Sequence, residues 1–352
     1  VGEARFKDIW LGALLRERGE ASIHHHTAEL PERGECGLQG NFPSRPGKLG
    51  LPTDIYVGLL QPFVQELAGI QLKTEGTAAY RTKFDLWKQM LRSSGMLPDE
   101  RQLLQLIELF RFHTALIAVS RAVVAALDES AAPPAPEELL SSGFASWAIE
   151  RTEGDAWCAR LIDRIARYDW RGLERDALRA VYEKMIGPDV RHGFGEYYTP
   201  DWLAEAVCEE VLDEEWIARA LEGAKRASSR PGRSVAGIGV LDPACGSGTF
   251  LFHAARRILS SQKLRGLSAK RRADLTARLV QGIDIHPVAV EMSRATLAAA
   301  LPALPPGGAQ ALLVHQGDSL AARNQRELRI ERAKVDRIVA NPPWVCFSAA
   351  GM

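Results

Sequence analysis

Charge of one sign is what this sequence lacks most plainly. Over 352 residues Lys and Arg total 44 and Asp and Glu total 44, a formal net charge of zero. A whole-chain basic footprint for nucleic acid is thereby excluded, and any such contact must be local. Cysteine is also scarce: Cys36, Cys158, Cys208, Cys245 and Cys346 are scattered with no C-x-x-C pair. That argues against a zinc or disulfide framework and fits a reducing cytosol. Long uncharged apolar runs are missing as well. The most apolar stretch, Leu103–Leu127, carries Glu108, Arg111, His113 and Arg121, so it reads as a buried helix and not as a bilayer span. The first residues do not have the pattern of a secretory signal, and the expected location is the cytoplasm, with no membrane partner. What is present is ordinary: 46% hydrophobic and 25% charged residues, proportions that exclude wholesale disorder, in a length suited to about two domains.

Three regions follow from the texture of the chain. Residues 1–50 mix Gly, Pro, Arg and His without sustained periodicity, apart from a short helix expected over 6–16. The run His24-His25-His26 is read as loop, because three adjacent histidines cannot all face one ion from regular structure; no metal site is expected. Residues 51–190 are helical in pattern, beginning with Ile55, Leu59, Leu60, Phe63 and Leu67. Further helices are expected over 77–92, 99–127, 137–150, 155–167 and 171–186, with Pro133, Pro134 and Pro136 marking a break. From 191 to 352 short β-rich runs (237–242, 279–284, 311–316 and 336–340) alternate with helical patterns. That alternation predicts βαβ units and a parallel sheet, the α/β class. Surface loops are expected over 223–234 and 302–310. The basic segment 260–272, with Lys263, Arg265, Lys270, Arg271 and Arg272, reads as a solvated face, with DNA phosphate contact as the alternative.

The strand ends carry the chemistry. The first runs into Asp242-Pro243-Ala244-Cys245-Gly246-Ser247-Gly248-Thr249-Phe250, where glycines let a ligand approach bare backbone beyond the carboxyl end of a strand. The two glycines alone also fit a plain strand–helix turn. A dinucleotide site would want a third glycine where Leu251 stands, and a P-loop would want a Gly-Lys-Ser/Thr end. The second strand ends in Gly282-Ile283-Asp284-Ile285, an acid able to accept the hydroxyl protons of a ribose. The third ends at Asp318, able to accept from a base amino group. The fourth ends in Asn341-Pro342-Pro343-Trp344. Upstream, Thr199-Pro200-Asp201 has the makings of a helix start, with Thr199 as N-cap and Pro200 first in the helix.

Together these motifs resemble the N6-adenine DNA methyltransferases of the gamma order, in which Tyr197-Tyr198-Thr199-Pro200 comes first, the Asp242–Phe250 string next and Asn341-Pro342-Pro343-Trp344 last. The similarity is to the large methylases of restriction–modification and phage-defence systems. It runs from about residue 191 to 344 and more weakly into the helices, through Phe112-His113-Thr114-Ala115 and Tyr168-Asp169-Trp170…Val181-Tyr182-Glu183. Nothing in 1–50 matches. The resemblance implies a Rossmann-like S-adenosylmethionine-dependent methyltransferase fold, with helices on both faces of the parallel sheet and an α-helical connector domain before it. Its cofactor would be S-adenosyl-L-methionine and its partner double-stranded DNA with the target adenine flipped out. It further implies that Asn341, Pro342, Pro343 and Trp344 handle the adenine. Asp242, Ala244, Gly246 and Gly248 would surround the methionine part of the cofactor. Asp284 would hold its ribose, Asp318 and Ile285 its adenine, and Tyr198 and Thr199 its carboxylate end. An adenine amine is a poor nucleophile because its lone pair is conjugated with the ring. The Asn341 side-chain oxygen and the Pro342 carbonyl can accept its two N–H bonds and aim that lone pair at a methyl group, while Trp344 offers a stacking face.

The family sheet has seven strands and only four candidates occur here, so the chain is expected to be an N-terminal fragment, truncated after the fourth strand, that lacks the target-recognition domain. Restriction or specificity subunits, or fused domains, would lie outside it. Glu66 and Lys73 make a poor nuclease motif, and restriction activity within the chain is not expected. Two rival readings stay open: an RNA or protein-glutamine methylase with a similar Asn-Pro-Pro-aromatic loop, and a non-catalytic fragment that binds cofactor or DNA.

Overall fold

The structure, a computed structural model, describes residues 47–93, 103–128, 134–140, 143–186, 199–229, 239–305, 308–320 and 335–342. The expectations for 6–16 and for His24–His26 fall outside these residues.

A small parallel sheet organises the second half. Strands β1 (Val240–Asp242), β2 (Val280–Asp284), β3 (Leu313–Gln316) and β4 (Arg337–Ile338) lie in the order β3-β2-β1-β4. All three pairings are parallel, with Asp242 opposite Gly282, Asp284 opposite Gln316 and Leu241 opposite Ile338. β1 and the first four residues of β2 are buried throughout, as strands of a parallel sheet covered on both faces should be. The chain moves outward from β1 through β2 to β3, then returns to the other side of β1 for β4. In open parallel sheets such a reversal is where ligands bind, beyond the carboxyl ends of the strands, here β1 and β4.

The rest of the described chain is mostly helical. A π-helical turn (Tyr56–Leu60) leads into α1 (Gln61–Thr74). Helices α2 (Ala78–Ser93), α3 (Leu103–Leu127), α4 (Pro136–Leu140), α5 (Thr152–Ala166) and α6 (Ala177–Met185) follow, with 3₁₀ turns at Gly143–Ile149 and Trp170–Gly172. α7 (Asp201–Val211) and α8 (Glu214–Ser229) precede the sheet, and α9 (Thr249–Leu259), α10 (Ala269–Ala277) and α11 (Pro287–Ala300) lie between its strands. The expected helix over 171–186 is thus a 3₁₀ turn followed by α6, and that over 137–150 is α4 followed by a 3₁₀ turn.

One expectation is corrected. Residues 223–229, read as loop for their Gly, Arg and Ser content, continue α8. Leu221 and Ala224 are buried, and Arg226 pairs with Glu222 one turn earlier at 2.8 Å. Packing outweighs the low helix propensity of one glycine.

The helices and the sheet share one continuous core. α3 is apolar nearly all round, so burial on most sides is its stable solution. It is long and apolar enough to cross a membrane by length and composition, yet 67% of its most apolar window is buried inside the protein. Its main neighbour is α11, where Ala295, Ala298, Ala299 and Ala300 allow close approach. Polar groups lock this contact: Arg121 meets Glu291 at 2.9 Å. From the 3₁₀ turn, Arg171 donates to Leu127 O at 2.7 Å and to Leu301 O at 2.5 Å. It thereby satisfies carbonyls at the C-terminal ends of both α3 and α11, which have no partner within their own helices.

Arg171→Leu strands those carbonyls. It should destabilise the fold by about 1–3 kcal/mol, read as a lower urea midpoint with an unchanged m-value.

Candidate active site

The register decides what meets at the carboxyl rim. Asp242 and Asp284 are the last residues of β1 and β2. Asp318 follows β3 by two residues and Asn341 follows β4 by three. Val339 N donates to Leu241 O at 3.0 Å, so β4 tracks β1 up to this edge and the Asn341 segment emerges beside the turn that leaves β1. Asn341 is half-buried and Pro342 exposed. Pro343, Trp344 and Tyr198 lie outside the described residues.

The turn after β1 is pinned from several directions. Cys245 N donates to Ile283 O at 2.9 Å and Gly246 N to Asp284 Oδ2 at 2.9 Å, tying the turn to the end of β2. Ser293 Oγ of α11 donates to Gly246 O at 2.7 Å. Gly248 has φ +97°, and a Cβ there would lie 2.9 Å from Ser293 Cα; only glycine fits both the dihedral and the space. Gly282 serves the same crowding from below, since a Cβ would come within 2.7 Å of Leu251 and 3.1 Å of the Cys245 sulfur. Around Gly246, in contrast, nothing lies within 4 Å of where a Cβ would be. The open face of the turn is therefore bare backbone.

Asp284 accepts from Gly246 N on Oδ2 and, at 2.8 Å, from His286 N on Oδ1, with the Ile285 amide also directed at the carboxylate. A carboxylate has about four acceptor positions, so capacity remains for a further donor. Ile285, 38% exposed, stands next to it as an apolar contact. Asp318 is half-buried and accepts from Leu320 N at 2.9 Å. Asp242 is buried, with Ala244 N donating to its Oδ1 at 3.1 Å. This set of acids, bare backbone and apolar ledge fits a nucleoside bearing a cationic rather than an anionic group.

At α7 the structure corrects the helix start. Its N-cap is Pro200, with no side-chain cap, and Asp201 is the first helical residue. Thr199 is buried one residue too early to cap, and its carbonyl instead accepts from Arg179 Nη1 at 2.5 Å. Asp201 turns sideways to meet Arg179 Nη2 at 2.7 Å and His253 Nε2 at 3.0 Å. Burial alone would raise its pKa; the His253 hydrogen bond and the Arg179 charge hold it below the ordinary value.

Sequence reasoning missed Asp176, the N-cap of α6, because its partners are remote in the chain. It is buried, and its carboxylate accepts from Ser247 Oγ at 2.5 Å, Thr249 Oγ1 at 2.9 Å and Thr296 Oγ1 at 3.2 Å. No local signal beyond a capping acid marks it.

Other candidates are placed elsewhere. Glu66 and Lys73 form surface ion pairs with Arg160 and Glu153. The basic segment 260–272 precedes β2 and lies towards the amino ends of the strands, away from the rim; Arg271 pairs with Asp274 at 2.7 Å. Cys158, Cys208 and Cys245 are buried free thiols. Among the described residues no group of three His, Cys, Asp or Glu side chains could hold a metal.

Burial, aided by neighbouring Asp284, pushes the Asp242 carboxyl up to about 8 against the pull of the Ala244 amide. Burial likewise raises Asp284. Between its ordinary value of 3.8 and about 8, Asp242 keeps its proton in the folded state and loses it in the unfolded state. This contribution to stability is therefore full below the ordinary value and is lost as pH rises to about 8. Asp242→Asn removes the titration. Thermal scans from pH 5 to 9 should show the variant gaining on wild type as pH rises; a constant difference would refute the assignment.

No curated protein matches this chain. Solved structures to which this chain is similar include a cryoEM DrdV–DNA complex (16% identity, TM-score 0.44, covering 81% of this chain and 28% of that one). Another is the ATP-dependent Type ISP restriction-modification enzyme LlaBIII bound to DNA (14%, 0.39, 81% and 20%). A third is the Type IIL restriction-modification enzyme MmeI in complex with DNA (15%, 0.38, 80% and 42%). The chain thus spans less than half the length of each. Residues 173–347, which take in the pinned turn and all four strand ends, match the family model described as N-6 DNA Methylase.

Proposed function

We propose that this chain is the cofactor-binding and catalytic part of a site-specific adenine-N6 DNA methyltransferase of the restriction–modification type, acting in the cytoplasm. In this reading residues 191–352 form the catalytic part, a Rossmann-like S-adenosylmethionine-dependent methyltransferase sheet, and residues 51–190 the α-helical connector. The single observation that carries the proposal is the order β3-β2-β1-β4. It gives three strand-end acids and the Asn341 segment one common rim, with the open turn at Gly246 adjacent to the strand that delivers Asn341.

The donor, S-adenosyl-L-methionine, supplies an electrophilic methyl group on a sulfonium. Asp284 would accept the ribose hydroxyl protons with its free lone pairs, Ile285 would pack on the adenine ring of the donor, and Asp318 would accept from that ring's amino group. The bare backbone at Gly246, together with Asp242, Ala244 and Thr199, would receive the methionine end. Asn341 Oδ1 and the Pro342 carbonyl would accept the two N–H bonds of a flipped-out adenine and hold its nitrogen towards tetrahedral geometry. Proline at 342 and 343 stiffens this loop, and Trp344 would stack on the base. As the N–CH3 bond forms, the S–CH3 bond breaks and a neutral thioether leaves, and the methylated nitrogen then gives up one proton to water. Orientation is the main catalytic task, since the sulfonium is already a good leaving group. DNA is the proposed acceptor because the family is one of DNA methylases; the DNA-bound restriction-modification enzymes named above are consistent with it.

Transfer of tritium from labelled S-adenosylmethionine to duplex oligonucleotides, RNA and protein tests this directly. Label recovered as N6-methyladenine in DNA is the expected result; label entering RNA or protein instead would overturn it. Asn341→Ala should lower turnover at least about 100-fold while cofactor affinity, read by calorimetry, stays within a few fold. Asp284→Ala should do the reverse at the binding step, weakening the cofactor by about tenfold or more.

A further inference from the structure

Two oxygens of one buried carboxylate do separate jobs beneath the glycine turn. Asp176 Oδ1 accepts from Arg179 N at 3.0 Å, which caps α6, and from Thr296 Oγ1 of α11. Its Oδ2 is given over entirely to Ser247 and Thr249, the residues on either side of Gly248. Helix capping alone would need only the first set. The carboxylate thus takes four donors, about the number it can accept, and it is 1% exposed. Both hydroxyls of the turn donate inward, so the side chains are drawn under the turn and backbone is left facing the rim at Gly246. The same segment also ties down the start of α7: Asp176 N donates to Asp201 Oδ1 at 3.2 Å, and Arg179 holds Asp201 and the Thr199 carbonyl.

We propose that Asp176, from the helical half of the chain, is a positioning residue for the cofactor. It holds Ser247 and Thr249 down so that the Gly246–Gly248 backbone is preset for the methionine end of S-adenosylmethionine. The inference rests on the methyltransferase reading above and adds to it a residue that touches no reacting atom. In its absence the turn keeps its ties to Asp284 and Ser293 but loses the anchor at its centre. The adenosine end of the ligand, which faces Asp284 and Ile285, is indifferent to that loss.

The test compares two ligands on the full chain by calorimetry: S-adenosylmethionine, and 5′-methylthioadenosine, which lacks the amino-acid portion. Asp176→Asn keeps the shape and the helix cap but presents an amide N–H₂ to two hydroxyls that must then reverse and accept. It should weaken S-adenosylmethionine about tenfold and 5′-methylthioadenosine less than about twofold. Ser247→Ala approaches the same bond from the turn and decides the matter if the first variant does not fold; it should split the two ligands in the same sense. Equal losses for both ligands, or no loss for either, would overturn the positioning role. A wild-type chain that binds neither ligand would instead overturn the methyltransferase reading itself, so the two failures are distinguishable.

Discussion

The parallel pairing of β1 with β2 on one side and β4 on the other is the constraint on which the candidate site depends. β1 is only three residues long, yet its register with both neighbours fixes the height of every group at the rim. A shift of β4 by one residue would turn alternate side chains to the opposite face and carry Asn341 away from the turn. That short strand is held from both ends: Val240 N donates to Leu279 O before it, and Cys245 N to Ile283 O after it. The glycine turn is in this sense an extension of the sheet's hydrogen bonding and inherits its precision.

The helical half supports this edge instead of standing apart from it. α3 lies along α11, the helix that follows Asp284, and their contact is closed by the Arg121–Glu291 pair and by Arg171 at both helix ends. At the start of α11 the ring of His286 meets that of His113 edge-to-face, with centroids 4.9 Å apart, and Trp87 Nε1 donates to His113 Nδ1 at 3.0 Å. Burial keeps both imidazoles neutral, His286 at about 4 and His113 well below the ordinary value. Two uncharged rings can be packed into a core where two imidazolium ions could not. Movement of the helices would therefore be felt two residues from Asp284, and again at Asp176 beneath the turn.

Legibility in the sequence followed the range of the interactions involved. The four strands and the acids at their ends could be read locally, because an apolar run, a glycine turn and a proline stop are properties of a few adjacent residues. Helix α8 was misread over 223–229 because its glycine and arginines speak for a loop, while the burial of Leu221 and Ala224 that outweighs them is tertiary. The helix start at Thr199 was off by one for a related reason: the capping preference of threonine was correct in kind, but Arg179, twenty residues back, claims its carbonyl. Asp176 was invisible because its partners lie 71, 73 and 120 positions away. No periodicity or motif encodes a contact of that range, and in the sequence it is one acid before a helix.

The distribution of buried acid also bears on what the turn can receive. Glycine turns between a strand and a helix commonly bind phosphate, because backbone amides and the helix N-terminus favour an anion. Here the Gly246 amide is already occupied by Asp284, and Asp242 and Asp176 lie beneath the same turn, all three raised in pKa by burial. A phosphate brought to this place would meet carboxyl groups where a P-loop offers lysine, and would displace a bond that secures the turn. A nucleoside with a sulfonium and an ammonium meets the opposite situation: each positive centre relieves the cost of burying a carboxylate, and in doing so favours its ionised form. The missing third glycine at Leu251 and the acidic lining point the same way. The turn combines a strand–helix glycine geometry with an acidic lining that suits a cationic ligand better than a phosphate.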